Sequence, residues 1–315
     1  MDESANDAPE AMGTGTRCGV VAVLGAPNAG KSTLVNSLVG QKVAITSPKA
    51  QTTRARLLGI ALAENAAGEP TQIVLADTPG IFAPRRRLDR AMVNAAWEGA
   101  DEADAILLVV DPIKQRRHEL MPLIETLAQR PERRILVINK VDASKKEALL
   151  VLAQDLDAQA KFDEIFFVSA LTGDGVGELK AHLASLMPEG PWLYPEDQVS
   201  DASQRLLAAE ITREQLYLQL REELPYDSAI RPEAYVERPD GSVEIRQQIV
   251  LGRDSQKPIV LGKGGARIKA IGEASREELS KLLGQKVHLF LHVKVQENWA
   301  EDKELYEVLG LDWVK

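Results

Sequence analysis

Cysteine is scarce in this chain, basic residues are outnumbered, and no apolar run is long. The 315 residues include a single cysteine, Cys18, which excludes an internal disulfide framework and suits a reducing compartment. The longest apolar run, AILLVV at 105–110, is far shorter than the roughly 18 residues of a membrane-spanning helix. A formal net charge of -9 argues against coating nucleic acid through overall charge but allows a local basic patch. We therefore expect a cytoplasmic protein.

The N-terminal residues lack the features of a targeting signal. MDESANDAPEAMGTGT is acidic and rich in small residues, so we predict that residues 1–16 form a disordered leader and not a signal peptide. The remaining length is sufficient for two domains, each with its own core.

Residues 17–187 alternate short apolar runs with amphipathic segments. The runs are RCGVVAVLG, TQIVLADTPG, DAILLVVD, RRILVINKVD and DEIFFVSA, and each ends in a polar loop. Continuous apolar runs of this kind are typical of parallel strands that are buried on both faces. The pattern predicts an α/β domain with a mainly parallel sheet, in which ligands bind beyond the carboxyl ends of the strands.

GAPNAGKST, residues 25–33, matches the phosphate-loop pattern G-x-x-x-x-G-K-[ST] between a predicted strand and a predicted helix. Gly25 and Gly30 would let backbone N–H groups surround phosphates, and Lys31 would place its charge near the β- and γ-phosphates. The Ser32 hydroxyl would ligate Mg²⁺. The alternative is a glycine turn that binds nothing, and the pattern alone does not distinguish ATP from GTP.

The segment NKVD, residues 139–142, indicates which base is bound. The Asp142 carboxylate can accept hydrogen bonds from the ring N–H and the exocyclic amine of guanine, donors that adenine does not present together. We expect Asn139 to reach the six-oxo edge and the Lys140 stem to lie along the base plane. The tripeptide Ser-Ala-Leu at 169–171 follows the next strand, and the Ala170 amide is predicted to support the reading of guanine. The nucleotide is therefore predicted to be GTP or GDP.

Two further segments are placed to sense the γ-phosphate. DTPG, residues 77–80, follows a strand, so Asp77 can hold Mg²⁺ through water and the Gly80 N–H can contact the γ-phosphate. Upstream, SPKAQTTR at 47–54 contains two adjacent threonines, of which we expect Thr53 rather than Thr52 to complete the Mg²⁺ shell. The alternative is that both threonines are solvated loop residues.

These segments together define the predicted nucleotide site. We expect Lys31, Thr53, Gly80 and Asn28 to act in hydrolysis and Ser32, Thr53 and Asp77 to hold Mg²⁺. The residues predicted to contact nucleotide are Gly25, Asn28, Ala29, Gly30, Lys31, Ser32, Thr33, Thr53, Asp77, Gly80, Asn139, Lys140, Asp142, Ser169, Ala170 and Leu171.

The second half of the chain differs in character. Residues 188–201 are proline-rich and are predicted to be a linker. Residues 202–315 show the order α-β-β-α-α-β, the arrangement of a small α+β KH domain, followed by a C-terminal helix. The last strand, VHLFLHVKV, alternates, so His288, Phe290 and His292 share the face opposite its valines and leucines. They could stack on bases. Alternatively, they could pack under helices or face water, and we favour this alternative.

GKGG, residues 262–265, is the G-x-x-G by which KH domains clamp a single-stranded RNA backbone. It lies between a predicted apolar strand and a predicted amphipathic helix. Positive charge is concentrated around it, which supplies the salt-dependent part of RNA affinity. The predicted RNA-binding residues are Gly262, Lys263, Gly264, Gly265, Arg253, Lys257, Arg267 and Lys269. The alternative is a glycine-started helix with a solvated basic face.

The series GAPNAGKS, QTTR, DTPG, NKVD and SAL resembles the translation-factor-related class of small GTPases, and the QTTR, DTPG and GKGG forms are similar to those of the Era family. The resemblance covers residues 17–309. It implies a P-loop GTPase domain at 17–187, binding to the 3′ end of 16S rRNA, and a role in assembly of the small (30S) ribosomal subunit. The acidic leader and the end LGLDWVK match no pattern that we recognise in the family.

The resemblance also bears on catalysis. Ile81 follows DTPG where Ras-like GTPases carry a water-positioning glutamine. GTPases with an apolar residue there and an asparagine at the position of Asn28 resemble a potassium-activated subgroup. We therefore expect slow hydrolysis that K⁺ stimulates through Asn28, the alternative being that Asn28 only caps the turn.

The sequence thus predicts a GTP-driven, rRNA-binding switch that is a monomer and that could also associate peripherally with the membrane. The alternative function is a protein- or membrane-directed signalling GTPase whose C-terminal domain docks a partner other than RNA. The basic G-x-x-G favours RNA, because a protein-docking domain has no need of it.

Overall fold

A computed structural model describes residues 15–49, 52–114, 117–220 and 224–314. Residues 1–14 of the predicted leader and Gln51 of the QTTR segment lie outside these ranges. Within the described residues, no helix has both the length and the apolar character to cross a bilayer.

The N-terminal domain is built on a six-stranded sheet with the order β2-β3-β1-β4-β5-β6. Its strands are β1 (Arg17–Leu24), β2 (Leu57–Glu64), β3 (Pro70–Asp77), β4 (Ala105–Val110), β5 (Arg133–Ile138) and β6 (Glu164–Phe167). All neighbouring pairs are parallel except β2 with β3. The five strands expected from apolar runs are present, and the mainly parallel α/β architecture is confirmed.

Helices cover both faces of this sheet. They are α1 (Lys31–Val39), α2 (Arg87–Asp101), α3 (Arg117–Ala128), α4 (Lys146–Ala160) and α5 (Val176–Leu186). Strand β4 shows why the apolar runs are continuous: Leu107 and Val109 pack toward α1 and α5, whereas Ile106 and Leu108 pack toward α3 and α4. Alternate side chains of a strand point to opposite faces, so a strand buried on both sides needs apolar residues throughout.

The antiparallel edge strand β2 was not predicted. Its sequence, LLGIALAE, contains glycine and two alanines, which are poor strand formers, and it shows no clean alternation. Pairing with β3 over its whole length determines its conformation, from Leu57 opposite Asp77 to Glu64 opposite Pro70. This is a non-local effect that local composition does not reveal.

Residues 188–201 are bonded along the N-terminal domain. The Pro188 carbonyl accepts from the Cys18 N–H at 3.1 Å, and the Val199 carbonyl accepts from the Ile60 N–H at 2.8 Å. Single bridges also pair Glu189 with Arg17 and Ser200 with Gly59. The linker therefore follows a fixed path across the first domain.

The C-terminal domain has the predicted order α-β-β-α-α-β. Its elements are α6 (Gln204–Gln219), β7 (Ser228–Glu237), β8 (Val243–Leu251), α7 (Lys257–Leu261), α8 (Ala266–Leu283) and β9 (Val287–Val295), followed by a short turn at Trp299–Glu301 and α9 (Lys303–Leu309). Strand β8 pairs antiparallel with β7 and parallel with β9. Two details differ from expectation: the short α7 lies between the apolar strand and GKGG, and ARIKAIG continues into ASREELSKLL as the single helix α8.

Two apolar clusters of the described residues join the domains. One places Ile45 with Ala208 and Ile211 of α6, and the other is the larger shared apolar cluster. Leu88 and Met92 of α2 pack in it with Trp299, Leu305 and Tyr306 of the C-terminal segment. The Arg87 guanidinium lies 4.6 Å from the centroid of the Trp313 ring, so residues 309–314 are part of this contact. The helix that follows DTPG is therefore packed against the C-terminal domain.

Candidate nucleotide site and nucleic-acid interface

The phosphate loop connects the carboxyl end of β1 to α1, as the sequence predicted. Glycine is required at Gly30 by backbone conformation and by space, since its φ is 97° and an added Cβ would lie 2.2 Å from the Asn139 amide nitrogen. Asn28 also has a positive φ, 64°, and is half-buried. Ala29 and Thr33 lie within the same loop and the first turn of α1.

Lys31 is buried at the centre of this loop. Its Nζ donates to the carbonyls of Gly25 at 3.0 Å and Ala26 at 3.2 Å. Burial lowers the pKa of Lys31 to about 8, while the charge of Asp77 acts in the opposite direction. The ammonium is thus held where phosphates would enter, charged at neutral pH.

Three oxygen-bearing side chains converge beside Lys31. The Ser32 hydroxyl lies 2.7 Å from the Asp77 Oδ2 and 2.8 Å from the Thr53 hydroxyl. The Asp77 Oδ1 is buried and has no hydrogen-bond partner among the described residues. Burial raises the pKa of Asp77 to about 6, with Ser32, Lys31 and Thr53 opposing that rise. Hydroxyl and carboxylate oxygens are ligands that suit Mg²⁺. A bound Mg²⁺ would also satisfy the buried Asp77 Oδ1, which has no other partner among the described residues.

The structure distinguishes the two threonines of QTTR. Thr53 is buried in this oxygen cluster, whereas the Thr52 hydroxyl donates to the Lys49 carbonyl at 2.7 Å. The geometry therefore brings Thr53, and not Thr52, to the predicted metal site.

DTPG lies directly against the phosphate loop. The Ile81 N–H donates to the Gly25 carbonyl at 3.1 Å, and a Cβ on Gly80 would lie 2.8 Å from the Pro27 nitrogen. The Ile81 side chain packs against the apolar cluster between the sheet and α3 and α4. It directs no polar group toward the phosphate loop.

Asn139 connects two loops. Its amide nitrogen donates to the Ala29 carbonyl at 3.0 Å, and its oxygen accepts from the Ala170 N–H, also at 3.0 Å. These contacts pair Asn139 with both loops, as burial of its amide requires. Contact of Asn139 and of the Ala170 amide with guanine stays a prediction. Asn139 thus positions the base-binding loops.

Asp142 remains exposed in the short turn Val141–Ala143, and Leu171, in the loop after β6, is 81% exposed. Ser169 is buried and accepts from the Thr172 N–H. Asp142 is therefore the residue of NKVD that is available to an incoming base.

Asp111, which follows β4, is a site residue that was not predicted from the sequence. Its Oδ2 accepts from the Lys140 Nζ at 2.6 Å, and its Oδ1 accepts from the Ile113 N–H at 2.8 Å. Burial acts to raise the pKa of Asp111, but Lys140 and the backbone donors outweigh it and the pKa lies below its usual value. Since Lys140 Nζ also donates to the Asn28 carbonyl at 2.8 Å, Asp111 holds Lys140 across the phosphate loop. The signal was present: an acidic residue at the end of a buried strand.

GKGG forms an exposed turn at the N-terminus of α8. Gly264 has a φ of 59° and an added Cβ would meet nothing within 4 Å, so glycine serves the backbone conformation and not a crowded interior. Gly262 and Gly265 also have positive φ. The five basic residues predicted to bind RNA are all exposed and lie between residues 253 and 269, within this turn or on either side of it in the sequence: Arg253, Lys257, Lys263, Arg267 and Lys269.

The second face of β9 points away from the helices. Phe290 is 49% exposed and lies beneath the Arg246 guanidinium at 5.2 Å, and His292 lies 3.4 Å from a Glu233 oxygen. His288 is half-buried. Phe290 and His292 are therefore not packed under helices, and their exposure is compatible both with facing water and with stacking on bases.

Two family models match the chain. A model described as a 50S ribosome-binding GTPase matches residues 20–140, and a KH domain model matches residues 223–300.

The chain also resembles known proteins over nearly its whole length. It is 75% identical over 300 residues to GTPase Era of Erythrobacter litoralis, covering 95% of this chain and 98% of the relative. It is 52% identical to GTPase Era of Caulobacter vibrioides, with 95% and 97% covered.

Two solved structures have the same fold. A crystal structure of a variant of Aquifex aeolicus Era bound to GDP·AlF4⁻ is similar with a TM-score of 0.85 and 38% identity, covering 93% of this chain and 99% of that one. A crystal structure of Era in complex with MgGDPNP and nucleotides 1506–1542 of 16S ribosomal RNA has a TM-score of 0.86 and 37% identity, with 94% and 99% covered. The chain therefore belongs to the Era family of GTPases.

Proposed function

We propose that this protein binds and hydrolyses GTP and that its KH domain binds single-stranded RNA at the 3′ end of 16S rRNA, thereby assisting assembly of the small ribosomal subunit. The observation that carries the proposal is the exposed GKGG turn with five basic side chains around it, in the same chain as a complete set of guanine-nucleotide loops. The relative solved with MgGDPNP and a 16S rRNA segment covers the same two domains and supports the proposal.

The nucleotide site suggests how each residue acts. Backbone N–H groups of residues 28–33 surround the phosphates, Lys31 neutralises their charge, and Asp142 selects guanine. Mg²⁺ supplies charge stabilisation when bound, and Ser32, Thr53 and Asp77 are the residues that would hold it. Gly80 lies against Pro27 of the loop, and its N–H would contact the γ-phosphate. These residues would bind substrate tightly only when QTTR and DTPG lie close to the loop.

We also propose that K⁺ stimulates hydrolysis through Asn28. Ile81 offers no side-chain carboxamide to position the attacking water. A bound K⁺ would supply the positive charge that an arginine provides in other GTPases, where it is worth about 10³–10⁵ in rate. Asn28 is half-buried in the loop and its carbonyl is fixed by Lys140. The test compares GTP hydrolysis in K⁺ and Na⁺ for wild type and Asn28→Ala. Equal rates in both salts for wild type would refute the proposal.

RNA binding is tested with the full-length protein. Gly264→Asp places a carboxylate in the GKGG turn, and Gly284→Asp places one at the other end of α8, where φ is 63° and an added Cβ likewise meets nothing within 4 Å. Backbone strain is thus matched. We expect Gly264→Asp to lose binding to an RNA corresponding to nucleotides 1506–1542 of 16S rRNA, the segment in the solved relative. Similar affinities for the two variants would contradict the RNA clamp.

The same experiment separates RNA from a protein partner. A C-terminal domain that docks a protein would leave RNA affinity weak in the wild type and insensitive to Gly264→Asp. We further propose that the protein acts as a cytoplasmic monomer on the 30S particle, with a fraction associated peripherally with the membrane. Sedimentation of cell extracts with and without a non-hydrolysable GTP analogue tests each of these statements.

A further inference from the structure

The polar segment before β2 does not lie in solvent but against α6 of the KH domain. The Thr46 N–H donates to the Glu214 Oε1 at 2.7 Å, and Lys49 donates to the last carbonyls of α6, those of Tyr217 and Leu220. The Thr52 carbonyl accepts from Arg213. Residues 46–49 and 52–54, which we call the switch segment, are therefore held by one helix of the other domain.

Arg54 makes the most extensive of these contacts. Although charged, it is only 2% exposed. Its guanidinium donates to four oxygens of the KH domain: the carbonyls of Ser228 at 2.7 Å, Tyr226 at 3.1 Å and Pro225 at 3.4 Å, and the hydroxyl of Tyr217 at 3.1 Å. The Trp299 ring lies 5.6 Å from it. Five donors in a planar fork can satisfy such a set of acceptors, and no other side chain can.

The residue before Arg54 is Thr53, whose hydroxyl reaches the oxygen cluster with Ser32 and Asp77. KH-domain contacts therefore flank Thr53 on both sides, at the Thr52 carbonyl and at the Arg54 side chain. Removing a buried charge from its partners is strongly unfavourable, so Arg54 must remain with the carbonyls of residues 225–228. The position of Thr53 is consequently tied to the position of α6 and the segment that precedes β7.

Helix α6 also contacts the helix that starts at GKGG. The Gln215 amide donates to Glu278 of α8 at 3.1 Å, and Lys42 of the first domain bonds both Glu214 of α6 and Glu278 of α8. A shift of α8 on binding RNA would therefore displace α6, and a displacement of α6 would change the position of the switch segment.

We propose that Arg54 is the positioning residue that couples the two sites: by fixing the switch segment to the KH domain it places Thr53 for Mg²⁺·GTP and lets RNA and GTP strengthen each other's binding. The inference rests on the proposed function. Coupling of this kind is reciprocal, so it is measured as one thermodynamic cycle.

The experiment compares full-length wild type, Arg54→Lys and Arg56→Lys. Arg56 is two residues away and pairs with Glu102 of the same domain at 3.3 Å, so it is a matched control for the substitution and the location. The affinities for a non-hydrolysable GTP analogue and for GDP are measured with and without the RNA used above. We expect Arg54→Lys to lower the affinity for the GTP analogue about tenfold, which is within the range typical of allosteric coupling. We also expect it to abolish the effect of RNA on that affinity. GDP affinity should change little.

A second variant guards against misfolding of Arg54→Lys. Tyr217→Phe removes only the hydroxyl that accepts from Arg54, and we expect the same loss of discrimination with a smaller amplitude. Equal weakening of analogue and GDP by both variants, or full RNA linkage in Arg54→Lys, would overturn the inference. Absence of any linkage between RNA and nucleotide in the wild type would overturn it too, whereas a wild type that fails to bind the RNA or GTP at all would refute the proposed function instead.

Discussion

Individual residues at this site differ sharply in exposure, and that difference assigns their roles. Asn139 is buried and bonded to both neighbouring loops, whereas Asp142, three residues on, is exposed. Groups that organise the site are paired within the protein, and groups that meet the ligand keep their hydrogen-bonding capacity.

Asp142→Asn should therefore relax the choice of base without disturbing the fold. The amide cannot accept both guanine donors as a carboxylate does, and a hydrogen bond to a charged group is worth roughly 1.5–3 kcal/mol, or about 10- to 100-fold in the GTP/ATP affinity ratio. Competition binding measures that ratio. Asp197→Asn, an exposed linker position, controls for the change in charge. Unchanged discrimination in Asp142→Asn would exclude this residue from reading the base.

The adjacent threonines provide a second test at the same scale. Thr53→Ala removes a hydroxyl from the oxygen cluster, and we expect GTP hydrolysis to fall about 10- to 100-fold, the loss typical when the surroundings of a metal site are altered. Thr52→Ala removes only a hydroxyl bonded to the Lys49 carbonyl and should retain most activity. Rates at varied Mg²⁺ concentration distinguish the two variants, and equal losses would contradict the assignment.

The loops were predictable at this scale because each motif must present the same groups wherever it occurs. GAPNAGKST, DTPG, NKVD and GKGG all appear where the sequence placed them. The roles of Asn139 and Asp111 were not predictable, since they depend on contacts across more than twenty residues of chain. Nothing in SPKAQTTR marks Arg54 as buried, because its partners belong to the other domain.

At the scale of elements, short connections are shaped by what packs beside them. DTPG approaches the phosphate loop so closely that Gly80 leaves no room for a side chain. Edge strand β2 and the path of the linker were determined in the same way, by pairing with neighbours. The sequence predicted the linker itself but neither β2 nor that path.

Gly80→Ala should force DTPG away from Pro27. Overpacking of this kind typically costs about 1–3 kcal/mol, and the affinity for GTP analogues should fall with it. Gly177→Ala in α5 is the matched control: its added Cβ meets nothing within 4 Å, and it should gain about 0.4–1 kcal/mol of stability. Urea unfolding of both variants checks the signs, and a stabilised Gly80→Ala would refute the close approach.

Helix α9 predicts a dependence on pH. Asp302 caps this helix by accepting from the Glu304 N–H and pairs with Arg231. A hydrogen bond from Gln296, together with the Glu304 N–H and Arg231, lowers the pKa of Asp302 against the opposing effect of burial. Its stabilisation is therefore present above the unfolded value of about 3.9 and is lost as the pH falls through the lower folded value.

Asp302→Asn should consequently destabilise the protein more at pH 7 than at pH 3, as measured by urea midpoints. Glu307→Gln, an exposed carboxylate on the same helix, serves as the control and should show no such difference. A destabilisation of Asp302→Asn that is independent of pH would show that the carboxylate charge contributes nothing.

For the whole molecule, the shared apolar cluster makes the domains interdependent. Leu88 and Met92 of the first domain and Leu305 and Tyr306 of the second are buried against one another. Sequence analysis predicted two domains and their order of elements, but it did not reveal this contact, since a buried face looks the same whether it meets its own domain or the other.

We expect calorimetry to show one unfolding transition for both domains, and guanine nucleotide to raise the temperature of that transition. Leu305→Ala, in the shared cluster, should split this transition into two. Leu156→Ala, in a cluster confined to the first domain, should lower the free energy of unfolding by about 2–5 kcal/mol without splitting the transition. Two transitions in the wild type would show that the domains unfold independently.

The docking of the switch segment on α6 affects which other proteins can bind that segment. Many regulatory proteins report their nucleotide state by offering that segment to a freely diffusing partner. Here it lies against a helix of the same chain, which competes with outside proteins at the high effective concentration of an intramolecular contact. We therefore expect another protein to bind this segment only after displacing α6.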